Sequence, residues 1–465
     1  MLKLKANSMI EFSPEEMPGF LVQKIKQDLT LDNPQYVNAK RLGFWTGGLD
    51  REIFLYRHKE GRLILPRGYG PELVKLLKMH NISYQMDDWR LTFPPVEFNS
   101  RIQLRDYQRP AVNRLVKQRQ GGVSAPCGSG KTQMLLEAMA RIRQPSLWIC
   151  HTYELLNQTR ERAVEAFSMN PGEIGIIANG KVKVGGRLTL ALIQTLHKTD
   201  LEELAGRFGA VFIDEAHHLA AETFFETVNA FPALCRLWAS ATPTRQDGLT
   251  RMVFAAGGHI LYEVKQKDLP VITPSLVVIE TDYSRHDENY TALISDLIQD
   301  EQRNRLIIDT IAAEAQGNYS LVLSDRVEHL LILDKMLKEK VPWLQVEVLT
   351  GRMNKRKRIE VMEQARNREI DVLLATQLAR EGLDLPHLNR LFLCTPKRAA
   401  GATQQEIGRV MRPCEGKQDA IVFDFVDFNS PVLRAQYWRR QDVYRRLGMD
   451  IKRKACRGQA LAGIS

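Results

Sequence analysis

The feature that most constrains this chain is a rhythm that begins near residue 101: short β-rich apolar runs alternate with longer stretches of helical periodicity, first in one set and then, after a break, in a second. The first runs are Val123–Ala125, Ser146–Cys150, Leu188–Ile193, Ala210–Ile213 and Arg236–Ala239; the second are Ser320–Leu323, Gln345–Leu349, Asp371–Ala375, Arg390–Cys394 and Ala420–Phe425. Strands separated by helices return to the same end of a sheet and pair in parallel, so the pattern predicts an α/β fold with two tandem parallel-sheet lobes. Asp268 to Asp287, with its prolines and clustered polar residues, reads as the connection, placing the boundary near 275–290 and the lobes at 101–275 and 276–428. Residues 1–100 lack the rhythm and read as a small separate α+β domain with one helical stretch, Pro71–Met79; residues 429–465 read as a basic helical tail.

A chain of 465 residues is longer than one hydrophobic core organises, consistent with roughly three domains. A hydrophobic fraction of 44% with 26% charged residues excludes a disordered or fibrous class. Lys and Arg outnumber Asp and Glu by 65 to 55, and the net +10 favours a polyanionic partner, although surface solubility alone could use it. The six cysteines form no CxxC pair and have no His at metal-ligand spacing, which predicts free thiols in a reducing compartment. No apolar run reaches the length of a signal peptide or a membrane span, so the expectation is a soluble protein of the cytoplasm or nucleoid with no membrane partner.

The segment APCGSGKT, Ala125 to Thr132, follows an apolar run and precedes a helix, the context in which a glycine-rich loop cradles phosphates. Across Pro126, Cys127, Gly128, Ser129 and Gly130 the backbone N–H groups can converge on phosphate oxygens, and the following helix adds its positive end. Lys131 would bind the β- and γ-phosphates of ATP, and Thr132 would offer its hydroxyl to Mg²⁺. Ala125 stands where the strict pattern has Gly, and a chance glycine turn could share this composition. About 80 residues on, the strand of VFIDEAHH ends in Asp214 and Glu215. One carboxylate can hold Mg²⁺ through its water shell while the next, turned the other way, accepts a proton from the attacking water. Downstream, QQEIGRVMRP places Arg409 and Arg412 three apart on an expected helix, on one face, where guanidinium groups could neutralise charge developing on a γ-phosphate.

The order APCGSGKT, DEAHH, SATP (Ser240 to Pro243), ATQLAREGLDLP (Ala375 to Pro386) and QQEIGRVMRP resembles superfamily 2 helicases over residues 101 to 428. PCGSGK, DEAHH and GRVMRP are most similar to the xeroderma pigmentosum type B repair helicases and their bacterial and phage relatives. The resemblance implies two RecA-like lobes with ATP in the cleft between them and DNA as the track, moved along 3′ to 5′. It implies that Arg105 and Gln108 recognise adenine, that Ser240 and Thr242 couple hydrolysis to movement, and that Thr376, Glu381, Gly382 and Asp384 form a lobe-interface motif. Gln405 then begins the arginine helix, while Thr152 within HTYELLNQ, Gln194, Thr195, Thr350 and Gly351 fall where the family contacts the nucleic-acid backbone. His217 and His218 are either packing or coupling residues. Two departures stand out: Arg245-Gln246-Asp247 replaces an Arg-Glu-Asp triplet, and His151 stands where a proline is usual.

Outside the lobes two readings stay open. The tail, with Arg434, Arg439, Arg440, Arg445, Arg446, Lys452, Arg453, Lys454 and Arg457 around Tyr437, Trp438 and Tyr444, either grips single strands or packs its aromatics on the second lobe. In the N-terminal domain, Arg51, Arg57, Lys59, Arg62 and Arg67 near Phe44, Trp45 and Tyr56 suggest duplex or junction binding, against a packing or protein-docking role. Rival functions are an RNA helicase, a scaffold without turnover, which the intact site residues oppose, and the motor of a restriction complex.

Overall fold

The computed structural model describes residues 1–454 except 127, 242–246, 266–267, 270–271, 286–288, 352, 377–384 and 397–399; at 220, 355, 400–402 and 405 the backbone alone is described. The chain divides into two compact units, Met1–Asp268 and Leu269–Ser465. The break therefore precedes the expected 275–290 boundary. The difference has a local cause: Ser275–Glu280, inside the presumed connection, is a strand with a buried LVVI centre, and its proline-rich and polar flanks hid it. It pairs in parallel with Ile421–Val426 on one side and Ile451–Lys454 on the other, so it belongs wholly to the second unit.

The large sheet of the first unit has eight strands in the order Lys181–Lys183, Gly175–Ala178, Leu188–Leu192, Ser146–Cys150, Ala210–Asp214, Cys235–Ser240, Gln120–Ser124 and Ile260–Glu263. Every neighbouring pair is parallel except the edge hairpin at 175–183. The second unit holds a seven-stranded parallel sheet ordered Val346–Leu349, Val372–Ala375, Ser320–Leu323, Arg390–Leu393, Ile421–Val426, Ser275–Glu280 and Ile451–Lys454. Central strands such as SLWIC and AVFID are buried at every position, the signature of a parallel sheet covered on both faces. The inferred strands lie within a residue or two of these spans, apart from the first, observed at Gln120–Ser124 rather than Val123–Ala125.

The N-terminal residues form a five-stranded sheet, ordered Arg57–Lys59, Arg62–Pro66, Met9–Phe12, Leu2–Ala6 and Tyr84–Asp88, packed with helices Gly19–Asp28 and Gly70–Met79. It is not separate from the first lobe. One continuous hydrophobic cluster runs from Phe12, Ile25, Leu63 and Leu73 into Val228, Phe231, Trp238 and Val253. Two buried arginines reinforce the seam. Arg67 donates to the carbonyls of Asn7 (3.3 Å), Ala233 (2.6 Å) and Leu234 (3.2 Å) and to Gln120 Oε1 (3.1 Å). Arg236, from the lobe side, donates to the carbonyls of Ser8 (3.2 Å), Phe231 (3.0 Å) and Ala256 (2.8 Å). Burial lowers both guanidinium pKa values, that of Arg236 to about 9. Arg67, expected as an exposed nucleic-acid cation, is thus a seam residue, because its planar fork can satisfy several carbonyls that the junction would otherwise bury unpaired.

The tail is also integral to its unit. Helix Pro431–Arg446 buries Tyr437 and Tyr444, and Arg440 donates twice to Asp424 at 3.0 Å while Tyr444 donates to the same carboxylate at 2.7 Å. Residues Ile451–Lys454, expected as helix, form the edge strand beside Ser275–Glu280. Packing accounts for Tyr437, Arg440 and Tyr444, whereas Trp438, Arg434, Arg439, Arg445 and Arg446 stay exposed. Among the described residues, Cys150, Cys235, Cys394 and Cys414 are free thiols, and no helix is long and apolar enough to cross a membrane.

A Cβ placed on Gly68 would meet the Phe254 carbonyl oxygen and lie 2.5 Å from that of Ala255, both backbone atoms fixed by helix Thr250–Gly257. Gly68→Ala should therefore destabilise the first unit by about 1–3 kcal/mol, the usual cost of overpacking. Arg440→Ala, which strands the Asp424 charge, should cost the second unit about 3–5 kcal/mol. Urea-denaturation midpoints test both, and a Gly68→Ala midpoint equal to wild type would show that the seam yields freely.

Candidate active site

In the first unit three neighbouring strands, Gln120–Ser124, Cys235–Ser240 and Ala210–Asp214, end on one edge of the sheet and deliver the glycine-rich loop, Ser240 and the acidic pair to the same place. Ala125, the departure from the strict loop pattern, is fully buried and donates its N–H to the Ser240 carbonyl at 3.0 Å. Helix Lys131–Ile142 starts directly after Gly130, whose φ of 79° an L side chain rarely adopts. A Cβ there would also collide with Gln108 Nε2.

Gln108 is only 1% exposed. Its Nε2 donates to the Ser129 carbonyl at 2.8 Å, and its Oε1 accepts from the Arg105 N–H at 2.9 Å. The base-edge role implied for Gln108 meets an amide engaged inside the protein: this side chain braces the loop. Tyr107, not singled out in the sequence, adds a second bond to the Ser129 carbonyl at 3.1 Å. Ser129 Oγ is buried without a hydrogen-bond partner among the described residues, an orphan polar atom in the loop of the kind that a bound polyanion would satisfy.

Asp214 ends its strand and accepts from the Thr132 hydroxyl at 3.3 Å, so the two groups expected at Mg²⁺ are adjacent. Burial and the neighbouring Glu215 push the Asp214 carboxyl up to about 6. Arg162 Nη1 donates to the same Thr132 hydroxyl at 2.9 Å. Arg162 sits on helix Tyr153–Phe167, and no local pattern marks it. Glu215 adopts the left-handed backbone conformation, φ 54°, and its N–H donates to Asp214 Oδ1 at 3.0 Å. Lys131 Nζ lies 3.6 Å from Glu215 Oε1. Burial opposes ionisation of Glu215, but Lys131 and His217 outweigh it and hold the carboxyl well below the usual range. Among the described residues no three His, Cys, Asp or Glu are placed to hold a metal, so the donors available to a divalent ion here are Asp214 and the Thr132 hydroxyl.

His217 Nδ1 is 3.3 Å from Ser240 Oγ and 3.4 Å from Glu215 Oε2, bringing two of the three expected coupling residues together; Thr242 lies outside the described residues. The His218 ring lies 4.2 Å from that of His217 and 3.9 Å from that of His151, so the histidine that replaces a proline completes a row of three imidazoles. Burial lowers the His151 pKa to about 4.

The expected nucleic-acid residues follow adjacent strands in each unit. Thr152 caps helix Tyr153–Phe167, its Oγ1 accepting from Leu155 N–H at 3.3 Å, and exposed Gln194 donates to the His151 carbonyl at 2.9 Å, with Thr195 beside it. In the second unit the Thr376 N–H donates to the Leu349 carbonyl at 3.3 Å, so Thr350 and Thr376 end neighbouring strands. Both are nearly buried, and Gly351 is exposed. Helix Ala400–Val410 carries Arg409 but ends before Arg412, so the two arginines do not share a helical face as expected; Pro413 disfavours helical backbone at the residue before it. Lys417 Nζ closes this helix end on the carbonyls of Val410 (2.6 Å) and Arg412 (2.9 Å). Cys127, Glu381, Gly382 and Asp384 lie outside the described residues, as does the Gln405 side chain.

Gln108→Ala should leave the buried Ser129 carbonyl with Tyr107 alone and weaken ATP binding about tenfold, the scale of one lost buried hydrogen bond. Fluorescent-nucleotide titration measures it, with the unfolding midpoint as control; wild-type affinity would show that the loop keeps its shape unbraced.

Residues 101–245 match the family model described as "Type III restriction enzyme, res subunit", and residues 302–414 match "Helicase conserved C-terminal domain". A protein of Acanthamoeba polyphaga mimivirus, whose name proposes an ATP-dependent RNA helicase, is 25% identical over 454 residues, covering 93% of this chain and 83% of its own. The "DNA 3'-5' translocase XPB2" of Sulfurisphaera tokodaii is 24% identical over 391 residues, covering 76% of this chain and 87% of its own. The solved structure of Saccharomyces cerevisiae Dbp5 bound to RNA and ADP BeF3 shares the fold at TM-score 0.57 and 14% identity, over 83% of this chain and 93% of that one.

Proposed function

The chain belongs to the superfamily 2 helicases, close to the xeroderma pigmentosum type B-like group, and is a nucleic-acid-dependent ATP hydrolase; from that premise we propose that its track is DNA. On this reading ATP turnover drives 3′-to-5′ movement on, or remodelling of, single-stranded or branched DNA during repair, recombination or replication. One observation carries the mechanism: the nucleotide residues and the first unit's candidate nucleic-acid residues lie on one sheet edge, joined by the row His151, His218 and His217 from Gln194 to Glu215. The likeness to the Sulfurisphaera translocase over 76% of the chain supports DNA.

The residues present fit ATP with Mg²⁺, given the orphaned buried Ser129 Oγ in the loop and the adjacent Thr132 and Asp214. A bound Mg²⁺ supplies charge neutralisation at the β- and γ-phosphates, and Thr132 and Asp214 would hold it. Lys131 is paired with Glu215, which keeps that carboxylate weakly basic. Phosphates that recruit Lys131 remove the cation from Glu215 and raise its basicity as a substrate water arrives to be oriented and deprotonated. His217, whose Nδ1 lies 3.4 Å from Glu215 Oε2 and 3.3 Å from Ser240 Oγ, is placed to position the base and to relay its state to the strand end at Ser240. Arg409 and Arg412, with Gln405 on the same helix as Arg409, are assigned to stabilising charge on the transferring phosphoryl group.

A second reading, RNA as the track, has the mimivirus relative in its favour. ATPase rates with single-stranded DNA, duplex, forks, Holliday-type junctions and RNA separate the two: stimulation by RNA with indifference to every DNA would overturn the DNA reading. Within the site, Lys131→Ala should bind ATP weakly, whereas Glu215→Gln should bind it well and trap it. Both should lose turnover by about 10²-fold or more, the scale of a removed acid–base group. Near-normal hydrolysis by Glu215→Gln would remove that residue from the role of base.

A further inference from the structure

Among the N-terminal residues, a loop between helix Pro34–Arg41 and strand Glu52–Phe54, which pairs with Thr30–Asp32, is explained by neither the core nor the ATP site. Helix Pro34–Arg41 ends in a left-handed cap: Gly43, φ 70°, donates to the Lys40 carbonyl and Phe44 to that of Ala39, at 3.2 and 2.8 Å. Three residues later a second turn closes, with Leu49 N–H donating to the Thr46 carbonyl at 3.1 Å and Gly48 at φ 96°. Asn33 ties the base of the loop, its N–H to the Arg51 carbonyl (3.0 Å) and its Nδ2 to that of Asp50 (2.8 Å). Trp45 stands between the two turns. Its indole lies so close over the backbone that a Cβ on Gly47 would collide with the ring, yet 84% of the residue is exposed, and neighbouring Phe44 is 67% exposed. One face of the ring is therefore held by peptide and the other is open to solvent.

A rigid mount for an exposed indole contributes nothing to the core, so the ring's open face is the feature in want of a ligand. The surroundings identify its chemistry. Residues 34–62 hold six Lys or Arg against three acidic side chains. Lys40, Arg41 and Arg51, which flank the loop, are exposed and make no ion pair among the described residues. An aromatic face beside unpaired cations matches a nucleobase joined to phosphates. The bases of intact duplex already stack on one another and present no free face at the helix surface.

We propose that Trp45 is a stacking platform for an unpaired DNA base at a single-stranded segment or branch point, with Lys40, Arg41 and Arg51 contacting the flanking phosphates. The inference rests on the reading that DNA is the track, and it assigns the N-terminal residues a sensing site distinct from the motor residues. Ring exposure makes the substitution benign for folding, so Trp45→Ala and Trp45→Phe can be compared with wild type in the full chain. Fluorescence anisotropy with a labelled fork, a single strand and a blunt duplex of the same sequence reads the affinities. Trp45→Ala should bind fork and single strand about tenfold more weakly, the scale of one base–aromatic stack, with duplex affinity and DNA-free ATPase unchanged. Wild type should show fork-induced quenching of tryptophan emission, and Trp45→Phe should retain most of the affinity but lose that quenching. Equal fork binding by wild type and Trp45→Ala, or an equal loss on blunt duplex, would overturn the platform and leave the loop to a protein partner, with the DNA reading intact. Wild type that bound RNA and no DNA would instead overturn the DNA reading, and this site as a DNA site with it.

Discussion

Parallel pairing of buried strands is the constraint on which the rest of this structure depends. When every central strand runs the same way, every strand ends on the same edge, and the loops that follow are brought together although scattered along the chain. That is how the loop at 125–132, the acids at 214–215 and Ser240 come within hydrogen-bond reach of one another. The strands set positions: Asp214 and Ser240 are the last residues of theirs, and Glu215 follows directly in the left-handed conformation.

Around this edge, charge is balanced by proximity rather than by solvent. Lys131, Arg162, Asp214 and Glu215 form a compact set in which each group shifts its neighbours: burial drives Asp214 towards neutrality, and Lys131 with His217 keeps Glu215 ionised. A triphosphate entering such a set would compete for the same cations and redistribute charge at Glu215. The three imidazoles line up from Glu215 to His151, whose main-chain carbonyl accepts from Gln194.

Outside the site, buried arginines do the joining. Arg67 and Arg236 satisfy backbone carbonyls from both sides of the seam between the N-terminal sheet and the parallel sheet, and Arg440 fastens the C-terminal helix through Asp424. In the sequence Arg67 and Arg440 read as surface cations and Arg236 as the start of a strand, since composition favours exposed arginine and the partners are distant in the chain. The same ambiguity applied to Trp45 and Tyr437. Both sit beside basic residues, but one is open to solvent and the other is fully buried.

What the sequence determined by itself was everything governed by local spacing. Apolar runs separated by helical periods specified parallel sheets, and the placement of APCGSGKT and DEAHH at run ends specified where the glycine-rich loop and the acidic pair leave the sheet. Where a local signal was masked, as at Ser275–Glu280 by its flanks, the inference slipped by one strand. The tertiary structure alone decided which side chains meet. Gln108 turned to brace Ser129, Arg162 reached Thr132 from another helix, and His151 joined the histidines of DEAHH. These contacts span 20 to 70 positions, and their partners are set by how strands and helices pack, which no window along the chain records.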